Sequence, residues 1–295
     1  MKSVAIIVVT YNRLNLLQEE IEALRKQTFT DCQIIVVNNG STDNTLDWLN
    51  NQPDVITITQ ENLGGAGGFY TGMKYAVENG YKFCWVMDDD VICEPQALEE
   101  LYKAYYAKEN IGFVCSNVVG IDGRPMNVPT VAFELADNGY PDFMDLIEKS
   151  MIRISCATFV SVFLPTSIIS LIGLPYKEYF IWGDDTEYTE RISSKYPCYV
   201  AGLSKVVHKR SIQKGLNFLD EVNPTRLNFY FYKFRNIGHR IKLKGGSLSA
   251  FYCEYIKYII KLCLKGKWKH AIIICRALLA INGFRPQIMY PQKPE

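Results

Sequence analysis

Short runs of hydrophobic residues alternate along the chain with stretches in which hydrophobic residues recur every three or four positions. Val4–Val9 and Ile34–Val37 are uninterrupted apolar runs, and the segment between them, from Leu14 to Leu24, has helical spacing. Val55–Thr59 and Phe83–Met87 predict two further strands. This order indicates an α/β fold with a parallel sheet covered by helices, in which a ligand binds beyond the carboxyl ends of the strands.

Polar residues, proline and glycine mark the ends of the predicted helices. Ser41 is expected to cap a short helix from Thr42 to Leu49. A helix that starts at Phe69 is expected to end at Asn79-Gly80. Pro95 opens another helix at a position that tolerates proline.

An uncharged segment at 155–174 is long enough to be considered as a membrane span. Six of its residues are Ser or Thr and Pro165 interrupts it, so we predict a strand, a turn and a short helix instead. The N-terminal residues through Val9 likewise predict a first strand rather than a signal peptide. The nine cysteines form no C-x-x-C pair, and this odd, scattered set indicates a reducing cytosol.

Three helices are predicted near the C-terminus, over residues 226–243, 248–264 and 268–282. Charged residues interrupt each of them, so none is expected to span a bilayer. We therefore divide the chain into a body, residues 1–225, and a helical C-terminal region, residues 226–295.

The net charge of +1 hides a split between these two parts. Residues 226–295 contain 14 Lys and Arg but only two Glu, whereas residues 1–225 have a net charge of −11. The basic helices either pack on the body with basic outer faces or attach the protein to an anionic membrane. We favour the membrane because five lysines cluster between residues 257 and 269. No recognised nucleic-acid motif accompanies them, so no nucleic-acid partner is expected.

Three consecutive carboxylates, Asp88, Asp89 and Asp90, follow a predicted buried strand, where their mutual repulsion favours a bound cation. Alternation on an extended backbone directs Asp88 and Asp90 to one ligand and Asp89 elsewhere. Oxygen ligands at this spacing suit Mg²⁺ or Mn²⁺ shared with phosphate oxygens. The alternative is a solvated acidic turn. His208 follows another apolar strand and is either structural or a further ligand.

A glycine-rich loop, N-L-G-G-A-G-G-F at 62–69, lies between a predicted strand and a predicted helix. Its amide groups can approach a phosphate or a sugar closely, although a simple tight connection is the alternative. The loop matches neither the dinucleotide-binding pattern nor a P-loop, which disfavours dinucleotide enzymes and NTPases.

Trp182, Asp184 and Asp185 stand just before an amphipathic helix. One aspartate is a candidate general base, since its neighbour and the helix N-terminus shift its pKa in opposite directions. Capping of the helix is an alternative that is compatible with this role. Two polar segments, 10–13 and 38–43, follow strands and can hold a nucleoside or be ordinary loops.

Taken in order, these segments resemble the family 2 inverting glycosyltransferases of the GT-A fold, over residues 1 to about 215. The motifs are V-V-T-Y-N-R at 8–13, V-N-N-G-S-T-D at 37–43, E-N-L-G-G-A-G-G-F at 61–69, D-D-D at 88–90 and F-I-W-G-D-D-T-E-Y at 180–188. The glycine loop and the last motif are similar to those of bacterial galactofuranosyltransferases, whose relatives include rhamnosyltransferases. The resemblance implies a mixed, Rossmann-like GT-A sheet as the catalytic domain, with the C-terminal helices as an appendage.

The resemblance also implies a role for individual residues. Asp185 would be the base, Trp182 and Asp184 would contact the acceptor, and Asp88, Asp90 and His208 would bind Mn²⁺ or Mg²⁺. The residues that would bind the nucleotide and the donor sugar are Thr10, Tyr11, Arg13, Asn39, Asp43, Gly65, Gly67, Gly68, Asp88 and Asp89.

The implied reaction is a single displacement that moves a sugar from a nucleotide-sugar donor, best matched by UDP-galactofuranose, to a hydroxyl of a lipid-linked surface glycan. The expected location is the cytoplasm, with peripheral attachment to the inner face of the cell membrane. Alternatives are rhamnosyl transfer from dTDP-rhamnose and hydrolysis of a nucleotide sugar. A non-catalytic binding subunit is disfavoured because both sets of carboxylates are present.

Overall fold

The computed structural model describes residues 2–210 and 215–292, which form one mixed sheet flanked by helices. The strands are β1 (Val4–Thr10), β2 (Cys32–Asn38), β3 (Val55–Thr59), β4 (Phe83–Asp88), β5 (Val91–Cys93), β6 (Val114–Gly120), β7 (Thr130–Val131), β8 (Met151–Cys156), β9 (Val162–Pro165) and β10 (Cys198–His208). The helices are α1 (Leu14–Arg25), α2 (Thr45–Asn50), α3 (Gly64–Glu78), α4 (Ala97–Tyr105), α5 (Thr166–Ile172), α6 (Asp184–Ser193), α7 (Pro224–Leu243), α8 (Leu248–Leu264) and α9 (Trp268–Ile281).

The sheet has the strand order β3-β2-β1-β4-β9-β6-β10-β8-β7, with β5 paired to β10. Strands β3, β2, β1 and β4 are parallel, whereas β9 runs antiparallel to both β4 and β6. Thr10 is in register with Asn38, and Val9 is in register with Asp88. The carboxyl ends of the first strands therefore meet at one edge, as the sequence predicted for an α/β sheet.

Both faces of the central strands are covered, which explains their uninterrupted apolar runs. In β1, Ile6 and Val8 pack with α1 and α4 on one face of the sheet. Ile7 and Val9 pack with α3, α5 and α6 on the other face. All four side chains are buried, so neither face of β1 needs polar residues.

The predicted start of helix α3 was wrong by five residues. We expected a loop up to Phe69, but the helix begins at Gly64 and includes the other glycines of the motif. A Cβ on Gly68 would lie 2.3 Å from Val9 Cγ1, so the glycine lets the helix pack directly on β1. The close helix-sheet contact outweighs the low helix propensity of glycine.

The predicted cap of helix α2 was also wrong. The helix begins at Thr45 rather than Thr42, and the hydroxyl of Ser41 accepts a hydrogen bond from the Asn12 amide instead. The Asp43 carboxylate accepts a hydrogen bond from the Thr45 amide at 3.1 Å. Because Asn12 also binds the 42–43 backbone, the loop after β2 is tied to the loop after β1.

The uncharged segment at 155–174 folds as predicted, because it contains the end of β8, then β9 and α5. Strand β9 lies between β4 and β6 and is fully buried, which explains the lack of charge. Among the described residues, no helix has the length and apolar character needed to cross a membrane.

The three C-terminal helices form a hydrophobic cluster of their own and also pack on the body. Asn236 of α7 donates hydrogen bonds to the carbonyls of Tyr179 (3.1 Å) and Trp182 (2.8 Å). After α9 the chain returns to the body, where the Leu174 amide donates to the Met289 carbonyl at 2.8 Å. Packing of these helices on the body, which we considered as the alternative to membrane attachment, is therefore observed, and it leaves their outer faces exposed.

The tight contact at Gly68 predicts that Gly68→Ala lowers the free energy of unfolding by about 1–3 kcal/mol, the usual cost of overpacking. Gly65→Ala is the matched control, because a Cβ at Gly65 has no neighbour within 4 Å. Urea denaturation of both variants measures the difference. Equal stabilities would contradict the proposed packing role of Gly68.

Candidate active site

A cavity of about 820 Å³ lies at the carboxyl ends of β1 and β4, between the start of α6 and one face of α7. This cavity is lined by most of the residues that the sequence analysis proposed for the site. They are Thr10, Tyr11, Arg13, Asn39, Gly65, Asp88, Asp89, Asp90, Trp182, Asp184, Asp185 and His208.

Asp88, Asp90 and His208 come together at one end of the cavity, with ligand atoms all within 4.8 Å of one another. The antiparallel pairing of β5 with β10 sets His208 opposite Val91, which brings the histidine to the aspartates across a long separation in sequence. Burial and then the charge of Asp90 raise the pKa of Asp88 to about 7. This crowding of buried carboxylates is the arrangement that a bound cation relieves.

The orientation of His208 fits a cation at this position. Its Nδ1 lies 2.9 Å from Asn127 Oδ1, which can accept a hydrogen bond from it. Its Nε2 faces Asp90 Oδ1 at 3.0 Å. An imidazole nitrogen and a carboxylate oxygen at this distance can share a divalent ion. A histidine that binds a metal usually donates a hydrogen bond from its other ring nitrogen.

Asp89 binds partners outside this cluster, as predicted, but the strand ends at Asp88 and a turn at 89–90, not the alternation of an extended backbone, sets its direction. Its carboxylate accepts hydrogen bonds from Thr10 Oγ1 at 2.8 Å and from the Tyr11 amide at 3.3 Å. Arg13 Nη1 bridges Asp89 at 3.1 Å and Asp90 at 2.7 Å. Thr10, Asp89 and Arg13 therefore bind one another and fix the loop after β1 against the end of β4.

Asn39 lines the cavity but uses its side chain to hold the glycine loop. Its Oδ1 accepts from Gln60 Nε2 at 2.8 Å and from the Leu63 amide at 3.2 Å, and its Nδ2 donates to the Gly64 carbonyl at 2.9 Å. The side chain is buried, so its function in this structure is to fix the strand-to-helix connection.

Three residues expected at the donor lie outside the cavity lining that the described residues form: Asp43, Gly67 and Gly68. Asp43 is exposed and binds the first turn of α2. Gly67 and Gly68 are inside helix α3 and face Leu63 and Val9 respectively. Gly67 and Gly68 thus face protein atoms, whereas Gly65 and its neighbour Gly64 line the cavity.

The loop before α6 has an unusual backbone that α7 holds in place. Phe180 and Trp182 have φ of +64° and +62°, values that non-glycine residues rarely adopt. Asn236 donates hydrogen bonds to the carbonyls of Tyr179 and Trp182. The Phe180 carbonyl accepts a hydrogen bond from the Ala66 amide at 3.1 Å. Trp182 packs edge-on against Tyr230, with ring centroids 5.0 Å apart.

Asp184 and Asp185 occupy the first turn of α6, whose N-cap is Gly183 and which, in the described chain, has no side-chain cap. Burial, followed by the charge of Asp185, raises the pKa of Asp184 well above its usual range. Burial also raises the pKa of Asp185, while hydrogen bonds from Thr186 and the charge of Arg240 oppose this shift. A buried carboxylate with a raised pKa, facing a cavity, is suited to accept a proton.

Helix α7 supplies residues that our sequence analysis missed, including Asn236, Lys233 and Arg240. All three belong to the C-terminal region, which we treated as an appendage, yet Lys233 and Arg240 line the cavity. The available signal was their spacing, because Arg226, Lys233 and Arg240 recur every seven residues and so share one face of a helix.

Comparison with known proteins gives the family. The model of glycosyl transferase family 2 matches residues 5–163, more than half of the chain. The chain belongs to this family. The matched region includes the loop after β1, the glycine loop and the three consecutive aspartates, while α6, His208 and the C-terminal helices follow it.

Among characterised members of glycosyl transferase family 2, galactofuranosyltransferase GlfT1 of Mycobacterium tuberculosis is 28% identical over 227 residues, covering 74% of this chain and 67% of that protein. GlfT1 of Mycolicibacterium smegmatis is 36% identical over 89 residues, which is 30% of each chain. Both matches agree with the resemblance to the galactofuranosyltransferase branch.

Solved structures show that the fold is that of the GT-A glycosyltransferases, as the sequence predicted. GalNAc-T7 with UDP, GalNAc and Mn²⁺ has a TM-score of 0.58 at 13% identity, covering 84% of this chain and 53% of that one. Staphylococcus aureus TarS has a TM-score of 0.55 at 17% identity, covering 81% of this chain and 39% of that one. The chain therefore spans only about two fifths of TarS.

Proposed function

We propose that this family 2 glycosyltransferase moves galactofuranose from UDP-galactofuranose to a hydroxyl group of a lipid-linked surface glycan, with inversion at the anomeric carbon. The observation that carries the proposal is the single cavity that joins the Asp88-Asp90-His208 cluster to Asp185. The choice of sugar rests on the similarity to the GlfT1 proteins.

Asp185 is proposed as the base that takes the proton of the attacking acceptor hydroxyl. It is half-buried at the cavity, and the hydrogen bonds of Thr186 and the charge of Arg240 oppose the rise in its pKa that desolvation causes. Asp184, whose pKa is raised well above its usual range, would in its protonated form donate a hydrogen bond to the acceptor sugar. The two neighbouring carboxyls thus take different roles because their surroundings differ.

The residues at the strand end fit a divalent metal, Mn²⁺ or Mg²⁺. Asp88, Asp90 and Nε2 of His208 would hold it, and a hydrogen bond between Nδ1 and Asn127 would orient the imidazole ring. A bound divalent metal supplies Lewis acidity that offsets the charge of the departing nucleoside diphosphate. Arg13, held by Asp89 and Asp90, adds a fixed positive charge at the same end of the cavity.

The acceptor is proposed to bind at Trp182. The indole lies in the cavity wall directly before the two aspartates, and Tyr230 fixes its position. An aromatic ring next to the proposed base gives a sugar a flat apolar surface and orients its hydroxyl, which favours transfer over hydrolysis by water.

The outer face of α8 and α9 is proposed to lie on an anionic membrane. Its exposed apolar residues include Leu264 and Trp268, with 85% and 62% of their surfaces accessible. The exposed lysines near these residues are Lys257 and Lys261 in α8, Lys265 at the end of α8, and Lys269 in the first turn of α9. Apolar side chains flanked by lysines are suited to the boundary between lipid headgroups and acyl chains.

The proposed base predicts that Asp185→Asn lowers transfer from UDP-galactofuranose to a panel of octyl glycosides by about 100-fold to 10,000-fold, the range for loss of a general base. Binding of the donor, measured by calorimetry, is expected to change little because the strand-end residues are intact. The exposed Asp137→Asn is the matched control and should retain full activity.

Unchanged turnover of Asp185→Asn would exclude Asp185 as the base. The same assay with dTDP-rhamnose and with UDP-galactopyranose tests the donor, and we expect UDP-galactofuranose to be used fastest. Faster use of dTDP-rhamnose would replace the proposed sugar, while equal consumption of the donor with and without acceptor would indicate a hydrolase.

The proposed metal site predicts that His208→Ala weakens Mn²⁺ binding by about tenfold or more, because one of three protein ligands is lost. Calorimetric titration of Mn²⁺ into the protein without a nucleotide measures this directly. His270→Ala, a change outside the cavity lining, is the control. Equal Mn²⁺ affinities of the two variants would remove His208 from the ligand set.

The proposed membrane face predicts that changing Lys257, Lys261, Lys265 and Lys269 together to Gln lowers binding to phosphatidylglycerol vesicles by up to about 1,000-fold, since each lysine near the surface contributes about 1 kcal/mol. High salt should weaken binding of the unaltered protein. A matched variant with four exposed body lysines changed to Gln, at 26, 82, 195 and 205, should bind normally. Equal vesicle binding of both quadruple variants would contradict the proposal.

A further inference from the structure

Helix α7 presents a line of basic side chains to the cavity. Arg226, Lys233 and Arg240 are seven residues apart, about two helical turns, and all three line the cavity wall. The aromatic residues Phe229 and Tyr230 lie between the first two. This face of α7 therefore combines positive charge with the rings that support Trp182.

Lys233 differs from the two arginines in its partners. Arg226 pairs with Glu221, and Arg240 Nη2 pairs with Glu190 at 2.8 Å. Within the part of the chain that the structure describes, Lys233 forms no ion pair, and its ammonium group lies 5.4 Å from the centre of the Tyr230 ring. Burial lowers the pKa of Lys233, which shows that its charge is held partly out of water.

Arg240 also retains unused hydrogen-bonding capacity. Its Nε is buried and has no hydrogen-bond partner among the described residues. Its charge reaches Asp185, whose pKa it lowers. Arg240 is therefore adjacent to the proposed base, and Lys233 is adjacent to the ring that packs on Trp182.

These cations stand on a different element from the residues of the proposed donor site. The donor diphosphate is assigned to the strand end, where Asp88, Asp90 and His208 form the metal cluster. Lys233 and Arg240 instead stand on a C-terminal helix beside Trp182 and Asp185, the residues assigned to the acceptor. A partly buried lysine without a carboxylate partner costs stability unless an anion binds to it.

We infer that Lys233, assisted by Arg240, binds a phosphate ester group of the acceptor and thereby selects an anionic acceptor over a neutral one. This inference rests on the proposed function, because it concerns the second substrate of that reaction. A phosphate ester has several oxygens that accept charge-assisted hydrogen bonds, which suits the point charge of lysine together with the planar donors of arginine. Lys233 is thus a specificity-determining residue of the acceptor site.

A binding experiment tests the anion site without any donor or acceptor. Inorganic phosphate is titrated into the protein in EDTA, so that no metal contributes, and binding is measured by calorimetry. Lys233→Met should weaken phosphate binding about tenfold, the effect of losing one charge-assisted hydrogen bond, whereas Lys233→Arg should retain most of it. Lys242→Met is the matched control, because Lys242 is on the same helix and contacts the Ile281 carbonyl instead of the cavity.

A kinetic experiment identifies the source of the phosphate. Each sugar is offered as an octyl glycoside and as the corresponding octyl glycosyl phosphate. With Lys233→Met, we expect the KM of the phosphate-bearing acceptor to rise about tenfold, while kcat, the donor KM and the KM of the neutral acceptor stay within about twofold. Binding to phosphatidylglycerol vesicles should not change.

Three results would overturn the inference. The first is phosphate binding that is absent from the unaltered protein, or that is equal in Lys233→Met. The second is a rise in the donor KM alone, and the third is a loss of vesicle binding with the acceptor KM unchanged. The second would assign the lysine to the donor diphosphate and the third to lipid headgroups. If no nucleotide sugar is consumed, the proposed function fails, but phosphate binding still tests Lys233.

Discussion

The structure depends on three consecutive carboxylates at the end of a buried strand, of which Asp89 and Asp90 are buried and Asp88 is half-buried. The surroundings of the three carboxylates differ. Asp89 binds the loop after β1 through Thr10 and Arg13. Asp90 faces both Arg13 and His208, whereas the pKa of Asp88 is raised. Because repulsion between buried like charges is costly, these partners must stay in place. The same contacts define the end of the cavity at which the metal and the donor diphosphate are proposed to bind.

The second half of the cavity depends on helix α7. Asn236 binds the carbonyls of Tyr179 and Trp182 in a loop with three positive φ values, and this loop leads directly to Asp184 and Asp185. Strained backbone persists only where surrounding structure holds it, so the carboxylates of α6 take their positions from the C-terminal region. The body and the C-terminal helices are distinct in sequence, but residues of both line one cavity. The candidate site therefore belongs to both parts of the chain.

Sequence reasoning identified most of the residues that meet in the cavity, because strand ends and polar residues are local signals. The uninterrupted runs of β1, β2 and β4 and the acidic residues after β4 were sufficient to predict where a ligand site forms. Gly67 and Gly68 were assigned to the donor because glycine permits the close approach of a ligand and of another protein segment equally well. The pattern of glycines could not show that Val9 occupies the space beside Gly68. The same ambiguity applies to Asp43, since a polar residue after a strand can bind a ligand or a helix end, and here it binds the start of α2.

The sequence by itself determined the α/β order, the family and the chemical types available at the site, because these depend on periodicity and on motifs a few residues long. Only the tertiary structure decided which distant residues became neighbours. The pairing of β5 with β10 brings His208 to Asp90, and the packing of α7 brings Lys233 and Arg240 into the cavity. The physical reason is that contacts between residues far apart in the sequence depend on strand register and helix packing, which no local pattern encodes.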